Sequence, residues 1–374
     1  MSSLRFGTDV YAQRLKAAAE ATAAAGLAGL VITPGYDLRY LLGSRAQTFE
    51  RLTALVVSAA GDPTIVVPRM ELAALKESAV PELGLSVRDW VDGDDPYRLV
   101  ADALGGASGP IATAVTDSMP ALHLLPLADV LGVVPVLATD VLRRLRMIKD
   151  AAEIDALRKA GAAIDRVHAR VPEFLVPGRT EADVAADIAR AIVDEGHSEV
   201  AFIIVGSGPN GADPHHECSD RVLQDGDVVV VDIGGPYDPG YNSDSTRTYS
   251  IGTPEPEVAR RYSVLQEAQR AAVAAVRPGV TAEQVDAAAR DVLAAAGLAD
   301  AFVHRTGHGI GLSVPEEPYI VAGNDIPLQE GMAFSVEPGI YFPGQWGARI
   351  EDIVVVTADG VMSVNERPHD LVVV

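Results

Sequence analysis

Apolar and polar positions follow two rhythms along this chain. Between residues 11 and 26 the apolar positions recur at helical spacing through an alanine-rich stretch that stops at Gly26, which predicts an amphipathic helix. "LAGLVIT" then reads as a short buried strand, followed by the turn "PGYD". "TALVVSAAGDPTIVVPR" reads as two apolar strands joined by Gly-Asp-Pro, and "LAALKES" as helical. Strands alternating with helices predict a small α/β domain. The texture changes at "LRRLRMIKDAAEIDALRKAGAAIDRVHARV", a basic connector running into a long helical pattern. The boundary is therefore placed near 145–150, with an N-terminal α/β domain over 1–145 and a second domain over 146–374.

The second domain contains an internal repeat. "PGRTEADVAADIARAIVDEG" and "PGVTAEQVDAAARDVLAAAG" each run Pro-Gly, Thr, helix and closing Gly. Thr180 and Thr281, Gly196 and Gly297, and Gly206-Ser207-Gly208 and Gly307-His308-Gly309 are separated by the same interval. Thr281 with Gln284 forms a capping box, and Thr180 with Asp183 a looser version. Two similar helices starting on a common Pro-Gly-x-Thr signal are the plainer alternative. A true repeat predicts two halves about a pseudo-twofold axis with a site between them.

Composition narrows the classes. At 48% hydrophobic and 22% charged the chain has the apolar material for two cores. A formal charge of −22 repels phosphate backbones, which argues against a nucleic-acid partner and for attraction of cations. Cys218 is the single cysteine, so no intrachain disulfide is possible. The first twenty residues carry no apolar segment of signal-peptide length, and no stretch approaches the roughly 18 apolar residues of a membrane span. A cytoplasmic protein with no membrane contact is expected.

The candidate chemistry lies in the second domain. Asp232 ends an apolar strand and Asp244 follows past a Gly/Pro turn, so the two belong to one hairpin. Either they accept backbone hydrogen bonds in the turn or they face each other, and facing carboxylates need a cation or a proton between them. Glu337 and Glu351 sit at the edges of apolar strands, where an unpaired charge is costly. His308, in "TGHGIG", is flanked by glycines that leave its imidazole unobstructed. A lone histidine is usually a surface or capping residue; beside these carboxylates it reads as a ligand. Four carboxylates and one imidazole suit a pair of divalent ions, manganese first, with cobalt, zinc or iron as alternatives. Two such ions roughly 3.5–4 Å apart can generate hydroxide near neutral pH. A dinucleotide-binding fold is excluded, because no G-x-G-x-x-G follows a first strand and opens a helix.

With "DIGG", "NSDSTRT", "GHGIG", "SVEPGIY" and "ARIED" in this order, residues 140–374 resemble the pita-bread metallopeptidases: prolidase, aminopeptidase P and, more distantly, methionine aminopeptidase. "YDLRYLLGS" is similar to the smaller N-terminal domain of prolidases and creatinase-like proteins. The resemblance implies an α/β fold with a creatinase/prolidase-like N-terminal domain and a pseudo-twofold pita-bread domain, a homodimer, and hydrolysis of Xaa-Pro bonds in dipeptides or short peptides. It also implies roles: Asp232 on one metal through both oxygens, Asp244 and Glu351 bridging, His308 and Glu337 on the second metal, and Glu337 as general base. His215 would hydrogen-bond the tetrahedral intermediate, with His216 its bland neighbour. His304 would line the pocket near the substrate's proline, and Tyr341 and Arg349 would support the network; packing or ion pairing is the alternative for these three.

One departure stands out. The family pattern His-Gly-x-Gly-x-x-x-His-Glu reads "HGIGLSVPE" here, so Pro315 replaces a histidine that contacts the substrate amide. Proline offers no donor. Losing one such donor costs about 2.7–4 kcal/mol of barrier. The alternatives are therefore a non-peptide substrate on the same metal site, or a peptide-binding scaffold. "PYDPG" also makes the Asp232–Asp244 loop one residue longer than the usual prolidase spacing.

Overall fold

The computed structural model describes residues 5–47, 50–59, 61–105 and 112–374. The chain forms two compact units, one reaching Arg146 and the other running from Met147 to Val374.

The smaller unit is built on a six-stranded sheet of order β4-β3-β2-β1-β5-β6: β1 (Gly29–Ile32), β2 (Ala54–Ser58), β3 (Thr64–Pro68), β4 (Ser86–Trp90), β5 (Thr113–Val115) and β6 (Val136–Leu137). The unbroken apolar runs of β1, β2 and β3 are buried at every position, as strands covered on both faces require. Helix α1 spans Thr8–Ala24, with Gly26 just beyond it at φ 68°. Two expectations fail here. "PGYD" is not a plain turn: helix α2 (Tyr36–Leu42) begins inside it, because Leu38, Leu41 and Leu42 lie on one buried helical face. "LAALKES" forms only a 3₁₀ turn over Ala74–Glu77, a run too short to offset the cost of helix nucleation. Helices α3 (Val80–Leu83), α4 (Pro96–Ala103), α5 (Ala121–Leu131) and α6 (Thr139–Met147) complete the unit.

The larger unit has two halves. In the first, α7 (Ala151–Phe174) and α8 (Glu181–Asp194) pack on β7 (Phe202–Ser207), β8 (Val228–Tyr237) and β9 (Tyr241–Ser250). In the second, α9 (Pro256–Ala275) and α10 (Ala282–Ala295) pack on β10 (Gly307–Gly309), β11 (Glu316–Ile320), β12 (Ala333–Val336), β13 (Gly339–Phe342), β14 (Trp346–Arg349), β15 (Asp352–Thr357) and β16 (Gly360–Ser363). A short β17 (Val372–Val373) pairs with β9. Each half has its own apolar core.

The repeat extends to the hydrogen bonds. Gly178 N–H donates to Leu223 O, Leu223 N–H to Arg179 O and Glu181 N–H to Arg221 O (3.0, 2.8 and 3.0 Å). In the second half Gly279 donates to Leu328, Leu328 to Val280 and Ala282 to Ile326 (2.8, 2.8 and 3.1 Å). Thr180 and Asp183 exchange both capping bonds, at 3.1 and 3.2 Å, so this box is no looser than the one at Thr281, where Gln284 Oε1 accepts the Thr281 N–H at 3.0 Å. The β8–β9 ladder stays in register from Val228↔Ser250 to Tyr237↔Tyr241, with the hairpin closed by residues 238–240. Among the described residues no helix is long and apolar enough to cross a membrane.

Candidate metal centre

The centre starts with the β8–β9 register. Asp232 lies opposite Thr246, and Asp244 opposite Gly234. The two aspartates are therefore diagonal neighbours on one face rather than a directly facing pair. The second half contributes His308 from β10, Glu337 from the end of β12, and Glu351 from between β14 and β15. Thr246 ties the halves together: its carbonyl accepts the Glu351 N–H at 3.1 Å and its hydroxyl donates to Glu351 Oε2 at 2.7 Å. The glycines beside His308 serve close packing, since a Cβ at Gly307 would lie 1.8 Å from Ser335 O and one at Gly309 would lie 2.1 Å from Glu317 O.

Among the described residues, Asp244, His308 and Glu351 each offer one ligand atom, all within 4.8 Å of one another. His308 Nε2 is 3.6 Å from Asp244 Oδ2 and 3.3 Å from Glu337 Oε1. Its Nδ1 lies 3.1 Å from Gly309 O, and a carbonyl only accepts. Nδ1 therefore donates to that carbonyl, and Nε2 is the ring nitrogen turned toward the carboxylates. Ser335 Oγ donates to Glu337 Oε1 at 2.9 Å. Asp232 Oδ2 accepts from Arg349 at 2.6 Å, which leaves Oδ1 as the oxygen open to an ion. That Oδ1 is buried without a hydrogen-bond partner, a costly state for a carboxylate.

Burial pushes the Asp244 and Glu351 carboxyls well above the usual range, and their negative neighbours push them further. Burial also raises Asp232, against the pull of the Arg349 guanidinium. Packed together out of water, these carboxylates favour either protons or cations. An orphaned carboxylate oxygen, an imidazole nitrogen aimed at the carboxylates and clustered hard oxygens form a donor set that fits divalent transition ions.

Around this set, Arg349 donates to Tyr341 Oη at 2.7 Å and to Thr246 Oγ1 at 3.2 Å. Tyr341 Oη lies 2.9 Å from His304 Nε2, and His304 Nδ1 lies 2.7 Å from Arg305 O. His304 Nδ1 must donate to that carbonyl, so its Nε2 accepts the tyrosine proton and both ring nitrogens are occupied. Burial lowers the His304 pKa and raises that of Tyr341 to about 12, which keeps both neutral.

A cavity of about 680 Å³ opens onto the centre. Asp232, Asp244, His308, Glu337, Glu351, His215, His304 and Arg349 line it; Tyr341 stands behind His304 and Arg349. Phe202, Ile204, Pro214, Val314 and Pro315 form its apolar wall. Glu316 supplies no substitute donor for Pro315: its Oε1 is bound by Lys149 Nζ at 2.6 Å and its Oε2 by Ser313 Oγ at 2.8 Å.

His216 proves more than a bland neighbour, because its Nε2 meets the buried Glu181 carboxylate at 2.7 Å. Glu181 also accepts from Ser207 N, Ser207 Oγ and Ser219 Oγ at 2.8, 2.6 and 2.6 Å. Burial opposes its ionisation, yet the bonds from Ser207 and Ser219 outweigh it and hold the carboxyl below its ordinary range. Sequence reasoning missed this hub, and a helix-start glutamate carries no signal of it.

Residues 155–358 match Metallopeptidase family M24, and residues 14–148 match the Creatinase/Prolidase N-terminal domain. The chain belongs to metallopeptidase family M24 and is an enzyme of that class, a small creatinase-like domain preceding a pita-bread domain. It is 78% identical over 374 residues to the probable dipeptidase PepE of Mycobacterium tuberculosis, covering 100% of this chain and 99% of that one. The crystal structure of dipeptidase PepE from Mycobacterium ulcerans matches with a TM-score of 0.95 at 80% identity, over 99% of each chain. The Xaa-Pro dipeptidase of Lactobacillus helveticus is 37% identical over 347 residues, 90% of this chain and 92% of that one.

Proposed function

We propose that this chain is a dinuclear-metal-dependent dipeptidase that cleaves the Xaa-Pro bond. The observation that carries the reading is the convergence of Asp244, His308 and Glu351 at the floor of the cavity, with the orphaned oxygen of Asp232 beside them. In this reading Asp232 would hold one ion, His308 and Glu337 would hold the second, and Asp244 and Glu351 would be shared between the two. When bound, such a pair of ions lowers the pKa of water and polarises a carbonyl. Manganese is assigned first, with cobalt, zinc or iron as alternatives, in a cytoplasmic homodimer.

The chain's own residues do the rest. Glu337, oriented by Ser335, takes the proton of the attacking water and returns it to the leaving proline nitrogen. His215 hydrogen-bonds the tetrahedral oxygen. His304 has no free nitrogen and acts as a neutral wall for the pyrrolidine ring. The nitrogen of an Xaa-Pro bond carries no N–H, so the wall of Phe202, Val314 and Pro315 leaves no donor unsatisfied.

Pro315 favours a second reading: the same metal site serving a non-peptide substrate, or a scaffold that only binds peptide. The test is hydrolysis of Xaa-Pro dipeptides and Xaa-Pro-Yaa tripeptides by manganese-loaded protein, with Pro315→His in parallel. Cleavage by the natural chain is expected, with a gain of up to about 100-fold in the variant. Cleavage by the variant alone sinks the peptidase reading and moves the search to esters, phosphotriesters and lyase substrates.

A further inference from the structure

Two arginines line the cavity, and they are in opposite states. Arg349 is buried, and its guanidinium is spent on Asp232, Tyr341, Thr246 and Pro214 O. Arg305 is half-buried. Among the described residues it meets no carboxylate, and its guanidinium donates no hydrogen bond. Such a state is notable in a chain with 52 acidic and 30 basic residues. The side chain is nevertheless held in place, because its guanidinium carbon lies 4.4 Å from the centre of the Tyr319 ring. Stacking fixes the plane of a guanidinium while leaving its edge donors open. Tyr319 is the direct ladder partner of His308 across β10 and β11, so the stack is anchored to the strand that carries a candidate metal ligand.

A fixed cation with unused donors, in the lining of the cavity, matches one chemical group above others. A carboxylate can take two parallel hydrogen bonds from a guanidinium fork. Resting on the reading of the site as an Xaa-Pro peptidase, we propose that Arg305 binds the C-terminal carboxylate of the substrate and makes the enzyme a dipeptidase. The carboxylate of an Xaa-Pro dipeptide belongs to the proline residue itself, one carbon from the pyrrolidine nitrogen. A ring seated against Val314 and Pro315 with its nitrogen toward Glu337 thus carries the carboxylate within the same cavity. A tripeptide places a neutral amide at that position and loses the charged pair. Tyr319 is the positioning residue that keeps the fork in plane.

The test compares an Ala-Pro dipeptide with its C-terminal amide on the manganese-loaded full chain, for the wild type, Arg305→Gln, Arg305→Lys and Tyr319→Leu. The wild type is expected to prefer the free acid by roughly 10- to 100-fold in kcat/KM, the size of one charge-assisted pair. In Arg305→Gln that ratio collapses toward one, with the loss in KM rather than kcat. Arg305→Lys restores part of the ratio, and Tyr319→Leu lowers it without abolishing it. Equal wild-type rates on acid and amide, or an unchanged ratio in Arg305→Gln, overturns the proposal. Calorimetry with a non-cleavable reduced-bond analogue, as acid and as amide, separates this outcome from failure of the peptidase reading. If nothing is cleaved but the wild type binds the acid more tightly and Arg305→Gln does not, the carboxylate site stands and the peptidase reading falls. If neither protein distinguishes acid from amide, the carboxylate site falls.

Discussion

The two halves of the larger unit each hold a pocket histidine with a buried carboxylate on the second helix, but they stabilise that carboxylate differently. In the first half Glu181 is surrounded by neutral donors from Ser207, Ser219 and Asn210 and by His216, and it thereby shapes the loop that ends at His215. In the second half Asp286 accepts from Thr306 N and Oγ1 at 3.1 and 2.8 Å and from Arg290 Nε at 2.7 Å. Arg290 in turn donates to His304 O at 2.5 Å. The two carboxylates are not repeat-equivalent, since Ala282 and Ala185 stand at the matching positions, yet each half bonds a carboxylate of its second helix to the strand region that follows it and satisfies it with different chemistry. Hydrogen bonds from neutral groups and a salt bridge are interchangeable here, because either meets the demand of a buried anion.

The largest test of this comparison is at Thr246, where the halves join. Thr246→Val removes the hydroxyl from Glu351 while keeping the shape, and metal affinity measured by competition with a chelator should fall about 10- to 100-fold. An unchanged affinity would mean that the link orders the chain but not the ligand.

Glu181→Gln should cost about 1–3 kcal/mol of unfolding free energy, since the amide turns a donor toward groups that are themselves donors. Asp286→Asn should cost less, because Arg290 is one-third exposed and water can solvate it once its partner is gone. Urea titrations of both variants decide the order, and the reverse order would show that the ion pair is the stronger anchor.

The smallest effect is in pH. His168 and His197, both in the first half, are held neutral by burial, with pKa values of about 3 and about 4. Each is depressed below its unfolded value, so the unfolded chain binds more protons and stability falls as pH drops below about 6.5. Between pH 7 and 5.5 each should remove about 1 kcal/mol. In His197→Asn, which cannot titrate, the difference between the two pH values should shrink by that amount.

Much of this was legible in the sequence, for identifiable reasons. Glu337 and Glu351 stand just outside the apolar strands β12 and β15, where a charge advertises itself, whereas Asp232 and Asp244 lie within β8 and β9 rather than at the strand end that the apolar run suggests. The paired Pro-Gly-x-Thr helix starts announced the two halves. Helix α2 was hidden because Pro34-Gly35 read as a turn and masked the apolar face of Leu38, Leu41 and Leu42. Glu181, Asp286 and Thr246 were invisible for a different reason: their neighbours are distant in sequence, and nothing local marks a glutamate that will be wholly buried.

The packing around His308 also bears on how this enzyme can diversify. Every replacement of glycine adds a Cβ, and at positions 307 and 309 that atom would overlap the backbone of a neighbouring strand. Mutation has no small step to take there, so the strand is closed to gradual change. Descendants that acquire new substrates must do so from its flanks, at Arg305 on one side and Val314, Pro315 and Tyr319 on the other. Selectivity in this protein can therefore drift while its metal-facing strand stands still.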